Sequence, residues 1–228
     1  MENNIDIKKK KLIIISLILV LLIFCLLVSN NERRQTKKLK RKLDKIFKSN
    51  SFITVPNNTC GDYNLTYGEL NWEGMESISK YMELKDWSKN TFIDLGSGNG
   101  RTLAYAILNG FKEAKGTELV YTRHDYAMKM RNKLDSYMKD KIKLSNKDFF
   151  KLDPSYFPPG SVIFISNLVF PKETTQKLIN FLSENTPSDV IIILSSIPDN
   201  LAKFKLIEKL ELSMSWSPNS TSYVLSKL

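Results

Sequence analysis

The chain has 228 residues, two cysteines, 42% hydrophobic residues and a formal net charge of +10, which admits one ordinary domain plus an appendage and excludes two catalytic domains or a disulfide framework. The charge is unevenly spread: residues 1–50 hold 13 Lys/Arg against 4 Asp/Glu, and the rest hold 21 against 20. The globular part is therefore nearly neutral, and the basic excess speaks for topology and anionic surfaces rather than for a nucleic-acid-binding face.

In chain order, residues 1–11 are a basic tail. Leu12 to Val28 is apolar apart from Ser16, about 17 residues or roughly 25 Å of helix, at the short end of what spans a bilayer. Residues 12–29 are expected to be a single transmembrane anchor. A cleaved signal peptide needs small residues at its cleavage site, whereas the run ends Phe24-Cys25-Leu26-Leu27-Val28-Ser29-Asn30. Four lysines precede the run and nine basic residues from Arg33 to Lys48 follow it, so the positive-inside rule places the following domain on the cytoplasmic side. In the juxtamembrane segment 30–50, Leu39, Leu43, Ile46 and Phe47 recur at helical spacing. An amphipathic helix lying on anionic lipid through residues 33–48 fits that pattern, and so does a solvated basic linker.

The domain is assigned to residues 51–228. Trp72, Met75, Ile78 and Met82 predict a helix over about 71–84. Asn90–Leu95 reads as a strand ending in glycines, followed by a helix over 101–109 that Gly110 stops. Residues 113–119 read as a second strand. Ala127, Met130, Leu134 and Tyr137 form the stripe of the next helix, and Ile142–Ser145 is a third strand. Residues 161–166 and 190–194 are continuously apolar, as strands covered on both faces of a parallel sheet are, with a helix over 172–183 between them. Two late strands, around 204–214 and 222–226, pair through Pro218-Asn219. This order is that of an α/β, Rossmann-like class I methyltransferase: a mostly parallel sheet with C-terminal antiparallel strands.

Asp94-Leu95-Gly96-Ser97-Gly98-Asn99-Gly100 sits where strand becomes helix, and a ligand there must press on the backbone. Dinucleotide loops place a third glycine three residues after the second, but position 101 is arginine. Asp94 repels a pyrophosphate and suits a cationic sulfonium ligand, so the cofactor expected is S-adenosyl-L-methionine. Glu118, closing the second strand, is placed to accept hydrogen bonds from ribose hydroxyls. Asp148 and Phe149, after the third, offer an acceptor for the adenine amino group and a face beside its ring.

Thr66-Tyr67-Gly68-Glu69, Phe92-Ile93-Asp94-Leu95-Gly96-Ser97-Gly98, Gly116-Thr117-Glu118, Asp148-Phe149-Phe150 and Ser161 through Phe170 together resemble the histone-lysine N-methyltransferases that lack a SET domain and are named for disruptor of telomeric silencing. The resemblance runs from about Tyr67 to Pro198. It implies that Tyr67 and Glu69 fold over the cofactor, and that Asn167 and Phe170 help form a lysine channel. Ser166 and Arg101 depart from the asparagine and glutamine that the family commonly has there. The loop through Arg101 and the N-terminal apolar segment also resemble the mitochondrial lysine methyltransferases that modify the ATP synthase c-subunit.

The expected activity is thus protein-lysine N-methylation by a membrane-anchored enzyme acting on a histone or a membrane-proximal protein. Cofactor binding falls to Tyr67, Glu69, Asp94, Gly96, Gly98, Glu118, Asp148 and Phe149, and catalysis to Asn167, Tyr67 and Phe170. No metal is called for. Two alternatives remain open at this point: a methyltransferase acting on nucleic acid or a small molecule, and a non-catalytic binding module of the same fold.

Overall fold

The computed structural model describes residues 2–47, 68–82 and 90–228. The chain divides into two compact units, residues 1–42 and 43–228. Helix α1 (Glu2–Phe47) is continuous. In the first unit the large apolar side chains from Leu17 to Val28 are exposed, between 42% and 64%. Among the described residues no helix is long and apolar enough to cross a membrane. Side chains of residues 12–16, the start of the apolar run, lie outside those described, and the transmembrane anchor expected at 12–29 is not confirmed.

The second unit begins inside the segment read as a basic linker. Leu43 and Phe47 are buried in the main core, with Ile46 packed against it. The apolar stripe predicted to face lipid or water instead packs against protein, because this last turn of α1 meets helices α2 (Trp72–Tyr81) and α3 (Arg101–Leu108).

One seven-stranded sheet organises this unit, in the order β3-β2-β1-β4-β5-β7-β6. Strands β1 (Thr91–Leu95), β2 (Glu113–Thr117), β3 (Ile142–Ser145), β4 (Val162–Ile165) and β5 (Ile191–Leu194) run parallel. Strands β6 (Phe204–Met214) and β7 (Ser217–Lys227) are antiparallel, β7 pairing with β5. Strands β1, β4 and β5 are buried at every position, since helices cover both faces. Alternate residues feed two cores. Phe92, Val162 and Phe164 join α2, α3, α4 (Tyr121–Asn132) and α5 (Ser136–Lys141), while Ile93, Ile163 and Ile165 meet α6 (Lys172–Asn185). Chain order reverses between β1 and β4. In such sheets that reversal opens a crevice at the carboxyl ends of the strands.

Two sequence expectations need correction. The hairpin turns at Ser215-Trp216, with Met214 opposite Ser217, and Pro218 lies within β7. A two-residue connection twists with its strands; the first strand has the expected bounds, and the second begins at Ser217, five residues earlier than the expected 222. The helix expected to run on to Tyr137 breaks near Lys133. Asp135 caps α5 by accepting the Met138 N–H at 3.1 Å, and Tyr137 is exposed. An aspartate held by its own local backbone bond favours a helix start over a helix interior.

Candidate functional site

The glycine turn connects β1 to α3. Gly96, Gly98 and Gly100 have φ of 96°, 52° and 79°, a left-handed series that L side chains resist. Both Gly96 and Ser97 donate backbone N–H groups to the Thr117 carbonyl, at 2.9 and 3.0 Å, which fixes the turn to the end of β2. A Cβ built on Gly96 meets nothing within 4 Å: the turn faces open space there.

Three acids gather at the turn. Asp94, on β1, is buried, and its carboxyl is pushed up to about 8. Burial is the main cause, followed by the charges of Glu118 and Glu69, with a hydrogen bond from the Thr102 hydroxyl opposing them. Glu118 accepts the N–H of Gly98 through Oε2 at 2.9 Å and that of Val120 through Oε1 at 2.8 Å. The acid assigned to ribose recognition therefore already joins the two loops, and each oxygen retains a second lone pair for a ligand hydroxyl.

Glu69 closes the cluster from a distant segment. Its N–H donates to Ser215 Oγ at 3.0 Å and its carbonyl accepts the Ser215 N–H at 2.8 Å. Its carboxylate pairs with Arg101 at 3.0 Å. The Trp216 ring lies so close to Gly68 that a Cβ there would sit 2.1 Å from it. Tyr67 lies outside the described residues.

Beyond β3, Asp148 Oδ1 accepts the Phe150 N–H at 3.0 Å and caps a single 3-10 turn, Phe149–Lys151. Phe149 stacks on Phe170 with centroids 6.4 Å apart and planes 14° apart. Phe150 instead packs edge-on against Phe181 of α6. Of this aromatic pair it is thus Phe149 that bridges the loops after β3 and β4.

Asn167, just past β4, is completely buried. Its Oδ1 accepts the Ser196 N–H at 3.0 Å, and its Nδ2 donates to the Ser196 carbonyl at 2.8 Å and Thr175 Oγ1 at 3.5 Å. Both donors are used and one lone pair remains. The side chain holds the loop after β5 against the loop after β4. Beside it, a cavity of about 570 Å³ is lined by Phe170, Gln176, Lys177, Asn180, Ile197 and Asp199 among others.

The geometry thus unites Asp94, Gly96, Gly98, Glu118 and Glu69 at one turn, and Phe149, Asn167 and Phe170 along the adjoining edge. Sequence reading missed Thr102, Arg101, Ser196 and Trp216. Nothing in a helical threonine or a loop serine announces such a contact; only Arg101, adjoining the glycines, carried a positional signal. Among the described residues no group of His, Cys, Asp or Glu could hold a metal ion.

A donor bearing a cationic sulfur and an ammonium group fits this site on two observations: the crowded carboxylates push Asp94 upward, and space opens in front of Gly96. Asp94 and Glu69 would face its charge and Glu118 its ribose.

Comparison with known proteins agrees. Residues 60–228 match the family model of histone methylation protein DOT1. No curated protein matches the sequence. Similar solved structures include magnesium protoporphyrin IX methyltransferase (ChlM) from Synechocystis PCC 6803 with bound SAM, at 12% identity over 69% of this chain and 79% of that one, with a TM-score of 0.54. Another is yhhF from Escherichia coli, described as a methyltransferase, at 14% identity over 73% and 88%, with a TM-score of 0.51. At such identities the likeness is one of fold.

Proposed function

We propose an acceptor and a setting from one premise: the chain belongs to the family of histone methylation protein DOT1 and is an S-adenosylmethionine-dependent methyltransferase. The acceptor is a protein lysine, on a histone or a membrane-proximal protein. The family match over 60–228 carries this reading. The enzyme is tethered through residues 12–29 with its domain on the cytoplasmic side, and the basic residues of 33–48 contact anionic headgroups. The exposed apolar side chains from Leu17 to Val28 support the tether, since lipid solvates such a surface and water does not.

When bound, the donor supplies a methyl group on a cationic sulfur. The chain's own part is positioning. Glu118 and Glu69 bring negative charge to the turn, Asp94 gives up its proton to face the donor's cation, and Glu118 keeps the Gly98 and Val120 amides in place. Asn167, Phe170 and Tyr67 form the catalytic set in this reading. Asn167 fixes the wall of the entry through Ser196, while Phe149 and Phe170 make that wall apolar. A lysine side chain arrives protonated, and reaching the neutral amine at pH 7 costs about 4.6 kcal/mol from its ordinary pKa. Desolvation against these rings lowers that cost, and the proton leaves to solvent.

Transfer of labelled methyl to cell protein, nucleic acid and small-molecule fractions tests the acceptor. Methyl-lysine in hydrolysed protein is the expected product; label confined to the other fractions removes the lysine reading and leaves the methyltransferase. Alkaline extraction tests the tether, which requires the full chain to stay with the membrane pellet.

A further inference from the structure

Arg101 follows the glycine turn directly, and its guanidinium joins segments far apart in sequence. Nη1 pairs with Glu69 Oε2 at 3.0 Å, and Nη2 donates to the Phe47 carbonyl at 2.9 Å. The guanidinium carbon also lies 5.8 Å from the centre of the Phe47 ring. Phe47 is the last described residue of helix α1, and its carbonyl faces the guanidinium. A cation placed between that carbonyl and a carboxylate satisfies both. The pair is largely shielded from water, with side-chain exposures of 20% and 10%, which separates it from surface ion pairs of negligible effect.

The same helical turn is held independently. The Tyr105 hydroxyl, one turn along α3, donates to Asp44 Oδ1 at 2.9 Å, and Leu43 and Phe47 are buried. On its other side, Glu69 is fastened through its backbone to Ser215 in the hairpin turn. Glu69 also acts on Asp94 through its charge. The end of α1, the glycine turn and the segment over the cofactor site thus meet at one side chain. A glutamine at position 101 is neutral and shorter, and cannot pair ionically with Glu69 while reaching Phe47.

We propose that Arg101 is a positioning residue for cofactor binding: by joining Glu69 to the Phe47 carbonyl of helix α1, it holds the Gly68-Glu69 segment at the glycine turn and couples order in the helical turn 44–47 to cofactor affinity. This rests on the cofactor assignment and is independent of the acceptor.

The experiment uses the full chain in detergent micelles, with S-adenosylhomocysteine binding followed by calorimetry and ligand-free melting measured alongside. Arg101→Gln is expected to weaken binding about tenfold, equivalent to about 1.4 kcal/mol. Glu69→Gln should weaken it similarly, and the double variant no more than the worse single one, because each breaks the same link. Arg101→Lys restores part of the loss, since a point charge pairs with Glu69 without the planar fork. Ligand should slow amide exchange at residues 44–47 in the wild type and not in Arg101→Gln. A merely structural arginine predicts the opposite: a lower melting temperature with unchanged affinity, or losses that add in the double variant. Either result overturns the proposal. If the wild type itself does not bind, the cofactor assignment falls and this inference with it; wild-type binding alongside an indifferent Arg101→Gln removes the inference alone.

Discussion

Cofactor binding should be linked to a proton held by Asp94. The carboxyl is buried and pushed up to about 8 by desolvation, Glu118 and Glu69, so near neutrality the ligand-free protein holds it mostly protonated. A cationic ligand requires the ionised form. Ionising it costs RT ln(1 + 10^(8−pH)), about 1.4 kcal/mol at pH 7 and about 2.7 kcal/mol at pH 6. Affinity for S-adenosylmethionine should therefore weaken about tenfold per unit as pH falls from 7 to 6, and about fivefold from 8 to 7. Calorimetry in two buffers of different ionisation heat should record release of about 0.9 proton at pH 7 and about 0.5 at pH 8. Asp94→Asn should bind weakly with neither slope nor release. Stability provides the converse check. Because folding raises this pKa, its stabilising contribution is complete below the ordinary value near 3.8 and is lost as pH climbs through about 8. The ligand-free wild type should thus lose melting temperature between pH 6 and 9 relative to Asp94→Asn. A flat affinity profile between pH 6 and 8, without proton release, would refute the reasoning.

Gly98→Val places a β-branched side chain at φ 52°, straining the turn by about 1–3 kcal/mol and disturbing the amide held by Glu118. It should lower S-adenosylhomocysteine affinity at least about 100-fold with far-ultraviolet dichroism retained; normal affinity contradicts the placement. Asn167→Ala leaves both backbone groups of Ser196 without their side-chain partner, a loss of about 2–4 kcal/mol that should lower the melting temperature by about 5–15 °C. An unshifted melt shows that the loops do not depend on that carboxamide. Gly74→Ala sets two effects against each other. Helix propensity favours alanine by about 1 kcal/mol, but its Cβ would lie 2.5 Å from both the Ser213 carbonyl oxygen and Leu70 Cδ1. A backbone oxygen yields little, so overpacking of about 1–3 kcal/mol wins, and urea unfolding should show a net loss; a gain means that α2 lies farther from β6.

The parallel sheet was legible because β4 and β5 are buried on both faces and so had to be written in unbroken apolar residues. The glycine turn was legible for a related reason, since left-handed backbone at Gly96, Gly98 and Gly100 restricts which residues can stand there. Contacts across long separations left no such mark. Leu43 and Phe47 have the spacing of any amphipathic helix, and whether that stripe meets lipid or protein depends on Trp72 and Tyr105, which the local pattern does not contain. Asn167 was read as a group facing substrate, yet its amide matches the backbone of Ser196, a loop residue 29 positions away. The hairpin turn was misplaced because Pro218-Asn219 is a stronger turn signal than Ser215-Trp216. Pairing along eleven-residue strands, together with the Trp216 ring over Gly68, prevailed over that local preference.

What separates this site from others on the same sheet is the sign of its charge. A glycine turn at a topological switch point serves dinucleotides as well as sulfonium donors, and both need backbone without side chains. A pyrophosphate requires donors and a positive potential there. Here Asp94, Glu118 and Glu69 converge instead, and Arg101, the cation nearest the turn in sequence, is committed to Glu69 and the end of α1. Crowding acids in a buried space disfavours their ionised forms in the ligand-free protein. A cation entering the site relieves that conflict, so the unfavourable electrostatics of the ligand-free turn become part of its selectivity for a positively charged donor.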